Sequence, residues 1–159
     1  MYSDPFINSM SLIVNYVLDV LKMNSPEALD LVMRTGMQES RFKYLEQLGG
    51  GPGLGFFQVE PGTADDTWYN YVVFREGIRD DLKTLGLPMG PWQNLTIMSN
   101  IALQVALCRL KYRRWKAPIP LAIEEQAAYY KQIYNTPKGK ATAEEFISNA
   151  KELERLKRA

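Results

Sequence analysis

Residues 96–115 read TIMSNIALQVALCRLKYRRW, and within them Ile101, Val105, Cys108, Tyr112 and Trp115 recur at steps of four, three, four and three. Such spacing keeps one face of a helix apolar along its length. It predicts a helix capped by Thr96 and ended by Pro118 and Pro120, with a buried stripe running through the middle of the domain.

The same periodicity spreads outward from this helix. Towards the N-terminus, Phe6, Met10, Ile13, Val14, Val17, Leu18 and Leu21 predict an amphipathic helix over about 6–22. Ser25-Pro26-Glu27 places a capping side chain, a proline and an acid where a helix start favours them, and a second helix is expected over about 26–41 with Leu29, Val32 and Met33 turned inward. Gly36 in that helix costs about 1 kcal/mol relative to Ala, so a close approach of another backbone is expected there. Gly49 to Gly55 is too glycine-rich for regular structure and predicts a loop or short bent hairpin. Thr63 or the acids after it would cap a helix entering Trp68, and Leu82, Leu85 and Leu87 lead into a turn-rich stretch. Downstream, Ile123, Ala127, Tyr130 and Tyr134 mark one helix, and Thr142-Ala143-Glu144-Glu145 is a capping box before Phe146, Ala150 and Leu153. The fold class expected is mainly α, one domain over 1–159, with a peripheral first helix and a basic C-terminal helix at about 143–157.

Composition removes several kinds of chemistry. The chain has 0 His and a single Cys, Cys108, which excludes an intramolecular disulfide, His-based nucleophile activation and the usual zinc sites. Carboxylates remain as the obvious proton-transfer groups. No segment offers the roughly 20 apolar residues of a bilayer span, and the start Met1-Tyr2-Ser3-Asp4-Pro5 lacks a signal-peptide pattern. Neither a cofactor nor a metal is expected. The glycine loop lacks the Gly-Lys-Ser/Thr ending of a phosphate loop. Basic residues gather late, at Arg109, Lys111, Arg113, Arg114 and Lys116. This cluster suits a solvated helix face better than nucleic acid, because Arg109 and Lys111 diverge around the helix; a polymer-docking role is the other reading. Trp68, Trp92 and Trp115 read as core anchors or as sugar platforms.

Glu39 is the carboxyl with the most suggestive setting. It falls near the C-terminal end of the second helix, where the dipole disfavours its ionised form, and Phe42, Phe56 and Phe57 are close enough in sequence to desolvate it. A carboxyl so placed can stay protonated near neutral pH and act as a general acid.

Glu39-Ser40-Arg41-Phe42, followed after the glycine loop by Gly55-Phe56-Phe57-Gln58-Val59-Glu60-Pro61-Gly62-Thr63-Ala64, resembles the soluble lytic transglycosylase and goose-type lysozyme branch of the lysozyme-like superfamily. The likeness covers about residues 26–147. In wording it is closest to bacteriophage wall-degrading proteins, some of them endolysins and others carried in the virion. The resemblance implies a lysozyme-like helical domain acting on the bond between N-acetylmuramic acid and N-acetylglucosamine. Glu39 would be the acid. Ser40 would bond near it or to substrate, Gln58 would hold the sugar, and Phe56 and Phe57 would divide between packing and lining the cleft. Tyr134, or else Tyr130, would orient Glu39. Glu60, Asp65 and Asp66 are the carboxylates available as a second catalytic group. A transglycosylase needs none, whereas a hydrolase needs one about 5–9.5 Å away. The implied partners are peptidoglycan glycan strands and other phage virion proteins. The implied location is the virion or the host cytoplasm before release, with action in the periplasm or on the wall. A lysozyme-type hydrolase and a non-catalytic glycan-binding or structural virion protein are the alternatives.

Overall fold

Capping residues set the starts of the first two helices in the computed structural model, which describes residues 1–158. The Asp4 side chain accepts from the Phe6 and Ile7 amides and opens α1, Pro5–Val20. Ser25 accepts from Ala28 at 3.0 Å and opens α2, Pro26–Ser40. Each cap contributes about 1 kcal/mol by satisfying amides that a helix start leaves free.

The remaining helices are α3 (Pro61–Asn70), α4 (Glu76–Thr84), α5 (Asn94–Ser99), α6 (Ile101–Arg113), α7 (Ile123–Tyr130) and α8 (Ala143–Arg155). A 3₁₀ turn, Val72–Phe74, separates α3 from α4, and a π turn, Lys131–Asn135, extends α7. Among the described residues there is no sheet, and three isolated bridges stand in its place. The domain is all-helical. Among the described residues no helix is long and apolar enough to cross a membrane.

At the centre, α2 packs against α1, α6 and α8, while α6 also meets α3 and α5. Val105, Ala106, Cys108 and Leu110 of α6 are fully buried, as are Ala28, Leu31 and Val32 of α2. Met10, Val14, Val17 and Leu18 of α1 are buried with them, so α1 is part of the core and not a peripheral addition. Arg34, itself buried, binds Gln126 of α7 at 2.8 Å and reaches Glu154 of α8 at 3.4 Å, which ties three helices together through one guanidinium.

Several expectations give way here. Thr96 does not cap the central helix. The backbone breaks at Asn100, whose side chain accepts from Leu103 and starts α6 anew, leaving 94–99 as a separate short helix. Trp115 lies beyond the end of α6 and is 44% exposed, so the buried stripe stops at Tyr112. No side chain caps α3, which starts at Pro61, before Thr63, with Glu60 at the cap position making no cap bond. Residues 76–84 form a helix where no element was expected, holding Ile78 and Leu82 inward. Leu29 is half-buried while Val32 and Met33 are buried. The C-terminal helix is not basic, since Glu144, Glu145, Glu152 and Glu154 outnumber Lys151 and Arg155 within it. At Gly36 the close neighbour is a side chain and not a backbone: an added Cβ would lie 2.2 Å from the Phe42 ring.

Candidate active site

Two non-glycine residues in left-handed backbone end α2. Arg41 has φ 54° and Phe42 φ 55°. Each costs on the order of 1 kcal/mol and must be held by its surroundings. Arg41 is held by Asn149 at 2.7 Å and Glu152 at 2.5 Å on α8, and Phe42 by edge-on contact with the rings of Phe56 and Phe57. The sharp exit leaves Glu39 on the last turn of α2, half-buried at the edge of a cleft.

The loop opposite is fixed by remote side chains. Buried Ser40 donates to the Phe56 carbonyl at 2.7 Å and accepts the Phe42 amide. Gln104, fully buried on α6, accepts the Phe56 amide at 3.0 Å and donates to the Ile97 and Met98 carbonyls. Tyr134 donates to the Phe57 carbonyl at 2.5 Å. Leu54 and Val59 exchange two backbone bonds of 3.0 Å, closing a tight bend. Within it Gly55 has φ 75°, and a Cβ there would lie 2.5 Å from the Gln104 side chain. Gln58, at φ 51°, turns its amide to the Gly55 carbonyl at 2.8 Å and stays at the cleft surface.

Two hollows of about 510 and 380 Å³ share Glu39, Gln58, Glu60, Asn135 and Gly139. Tyr44, Gln47 and Leu48 line the first alone; Thr63, Lys111, Tyr134 and Lys138 line the second. Together they form a groove with Glu39 at its middle, in the size range of ligand sites. Lys131 holds one rim by donating to Asn135 and to the Gly139 carbonyl, each at 2.7 Å.

The Tyr130 hydroxyl donates to Oε2 of Glu39. Burial pushes the Glu39 carboxyl up to about 7; the Tyr130 bond and the positive Lys111 pull the other way without cancelling it. Burial, then the adjoining Glu39 carboxylate, raises the Tyr130 phenol, so it remains a donor. Lys111 donates to the Tyr134 carbonyl at 2.6 Å and lies over that ring at 4.3 Å, with burial lowering its pKa. Among the described residues no three His, Cys, Asp or Glu side chains converge on a metal-sized space.

The expected residues separate into distinct positions. Glu39, Gln58 and Glu60 border one groove. Of the two tyrosines Tyr130 is the one on Glu39, and Tyr134 supports the loop beneath. Ser40 bonds to loop backbone and faces neither groove. Phe56 and Phe57 are both core residues, at 7% and 0% exposure. Asp66 is paired with Arg114 at 2.5 Å and with Asn70, and Asp65 is exposed; neither borders either hollow containing Glu39. Trp68 and Trp92 pack edge to face at 5.4 Å, in the core. The sequence reading assigns no role beside Glu39 to Gln104, Tyr44, Lys111 or Asn135. Gln104 alone leaves a signal, a polar residue in an otherwise apolar helix run.

No protein-family model, no curated protein and no solved structure matches the chain.

Proposed function

We propose that the chain cleaves the glycan strands of bacterial peptidoglycan, with Glu39 as general acid. The observation that carries the reading is a half-buried carboxyl brought up to about 7, held by a tyrosine hydroxyl, at the middle of a groove. An acid with that pKa is protonated in a large fraction of molecules at neutral pH and can transfer its proton as the bond breaks. Gln58 offers the amide group that a polar sugar substituent needs, and two hollows meeting at Glu39 suit sugars on either side of a scissile bond.

In the transglycosylase form Glu39 protonates the glycosidic oxygen, and the C1–O4 bond breaks. The resulting carboxylate then takes the proton of the muramic 6-hydroxyl as that oxygen bonds to C1. The product carries a 1,6-anhydro end, and no second carboxylate or water is consumed.

Glu60 supports a second reading. It borders both hollows, whereas Asp65 and Asp66 do not. As a base it would activate water and give hydrolysis with a reducing muramic end.

Mass spectrometry of soluble products from purified peptidoglycan, with Glu39→Gln in parallel, decides among these. Anhydromuramic ends from the parent alone establish the transglycosylase. Reducing ends that disappear in Glu60→Gln establish the hydrolase. No products from walls of several chemistries would overturn the enzymatic reading and leave glycan binding in its place.

A further inference from the structure

A second concave site lies at the C-terminal end of α6, lined by none of the residues that line the Glu39 groove. It encloses about 320 Å³ where the end of α6 and the segment Trp115–Ile119 face the start of α2 and Tyr129. This is at the lower end of volumes that hold a small organic ligand.

The unusual group in it is Arg109. The residue is 6% exposed, and its Nε donates to the Met23 carbonyl at 3.1 Å. Among the described residues, no acceptor bonds its two amino nitrogens and no carboxylate lies within ion-pair distance. Nor are those nitrogens sealed from solvent, so they open onto the cavity that the residue lines. A buried guanidinium without an anion is costly, and the fold retains one here. Arg113 can be explained by the last turn of α6, where the helix dipole favours a cation; Arg109 lies before that turn.

Charge fixes the class of ligand. Arg109, Arg113 and Lys116 line the cavity against one acid, Glu27, leaving two positive charges unmatched. Burial and Arg113 both push the Arg109 guanidinium below its usual pKa, the direction expected of a cation lacking its counter-charge. A phosphomonoester carries about −1.5 to −2 near pH 7, against −1 for a carboxylate. Trp115, exposed beside the cations, offers a flat apolar wall for the group that bears the phosphate.

We propose that this pocket binds a phosphomonoester attached to a flat or apolar body, its phosphate on Arg109, Arg113 and Lys116 and its body against Trp115. The site is independent of Glu39 and stands or falls apart from the glycosidase reading. The test is a titration of the ¹⁵N-labelled full chain with phenyl phosphate, inorganic phosphate and benzoate at constant ionic strength, followed by NMR at the tryptophan indole signals. Phenyl phosphate is expected to shift the Trp115 signal saturably with Kd of about 1 mM or tighter, leaving Trp68 and Trp92 in place. Inorganic phosphate and benzoate are each expected to bind about tenfold more weakly or worse. Arg113→Ala and Lys116→Ala, both at exposed positions, should each weaken binding about fivefold with melting unchanged, and Arg109→Lys should weaken it more by losing the forked donor. Benzoate binding as tightly as phenyl phosphate would overturn the phosphate assignment. A non-saturating shift, or one unchanged in the Arg113→Ala/Lys116→Ala double variant, would overturn the site.

Discussion

Helix α6 and the loop segment of residues 53–59 are both largely hidden from water, and they are held by different means. The helix bonds its own backbone and needs only apolar contact on its buried faces. The loop bonds its own backbone at only a few points, such as Leu54 with Val59, so Ser40, Gln104 and Tyr134 reach in from α2, α6 and the π turn to satisfy the Phe56 and Phe57 backbone between them. One region is held by area and the other by individual bonds. Stability should therefore reside in the first, and the position of Gln58 beside Glu39 in the second.

The largest expected effect tests the chemistry proposed for Glu39. Glu39→Gln should lower peptidoglycan turnover by about a thousandfold, equivalent to ~4 kcal/mol. The same change should stabilise the fold at about pH 8. Because burial raises the folded pKa from 4.5 to about 7, the wild type carries a penalty for its buried charge above the folded value, and the penalty disappears as pH falls below the unfolded value. Thermal melting should show the variant more stable by up to about 3 kcal/mol at the alkaline end and equal to wild type below about pH 4.

Next, Leu107→Ala in α6 should cost about 3 kcal/mol in denaturant unfolding through the cavity it leaves, with turnover per folded molecule nearly unchanged. Gln104→Ala is the sharper probe, because the residue belongs to both regions. Stranding the Phe56 amide and the Ile97 and Met98 carbonyls should cost about 2–3 kcal/mol, and turnover should fall roughly tenfold. Equal turnover in the two variants would abolish the distinction between the regions. The smallest effect is expected from Tyr130→Phe: losing the bond that holds Glu39 down should move the alkaline limb of the pH–rate profile upward by about one unit. A downward move would mean that the hydroxyl chiefly supports the protonated acid.

The difference between the regions also explains what could be read from sequence. Periodicity marks α1, α2, α6, α7 and α8 because local spacing decides which face is buried. It misplaces the start of α6 because Thr96 and Asn100 are both good caps, and only packing around Gln104 selects Asn100. α4 escapes because it is short and charged. At the site, the order of Glu39, the glycine loop and Gln58 is written in the chain. That Tyr130 and not Tyr134 meets Glu39 is decided by how α7 and its π turn sit on α2, and one turn of helix separates the two choices. The Phe42 ring filling the space over Gly36 was equally hidden, since a missing Cβ says that something is close without saying what.

The two ends of the described chain clasp each other: Ser3 donates to the Leu156 carbonyl at 2.7 Å, Arg158 to the Met1 carbonyl at 2.9 Å, and Tyr2 bridges Lys157. Topologically the molecule is nearly a ring with its seam beside α8. Such a unit can be spliced into a loop of a larger protein, because the host chain would leave and return at one point without being stretched. The ring could also be opened elsewhere once the seam is joined, and the exposed left-handed turn at Gly86, on the stretch between α4 and α5, is a place where a cut would sever no buried contact of the groove.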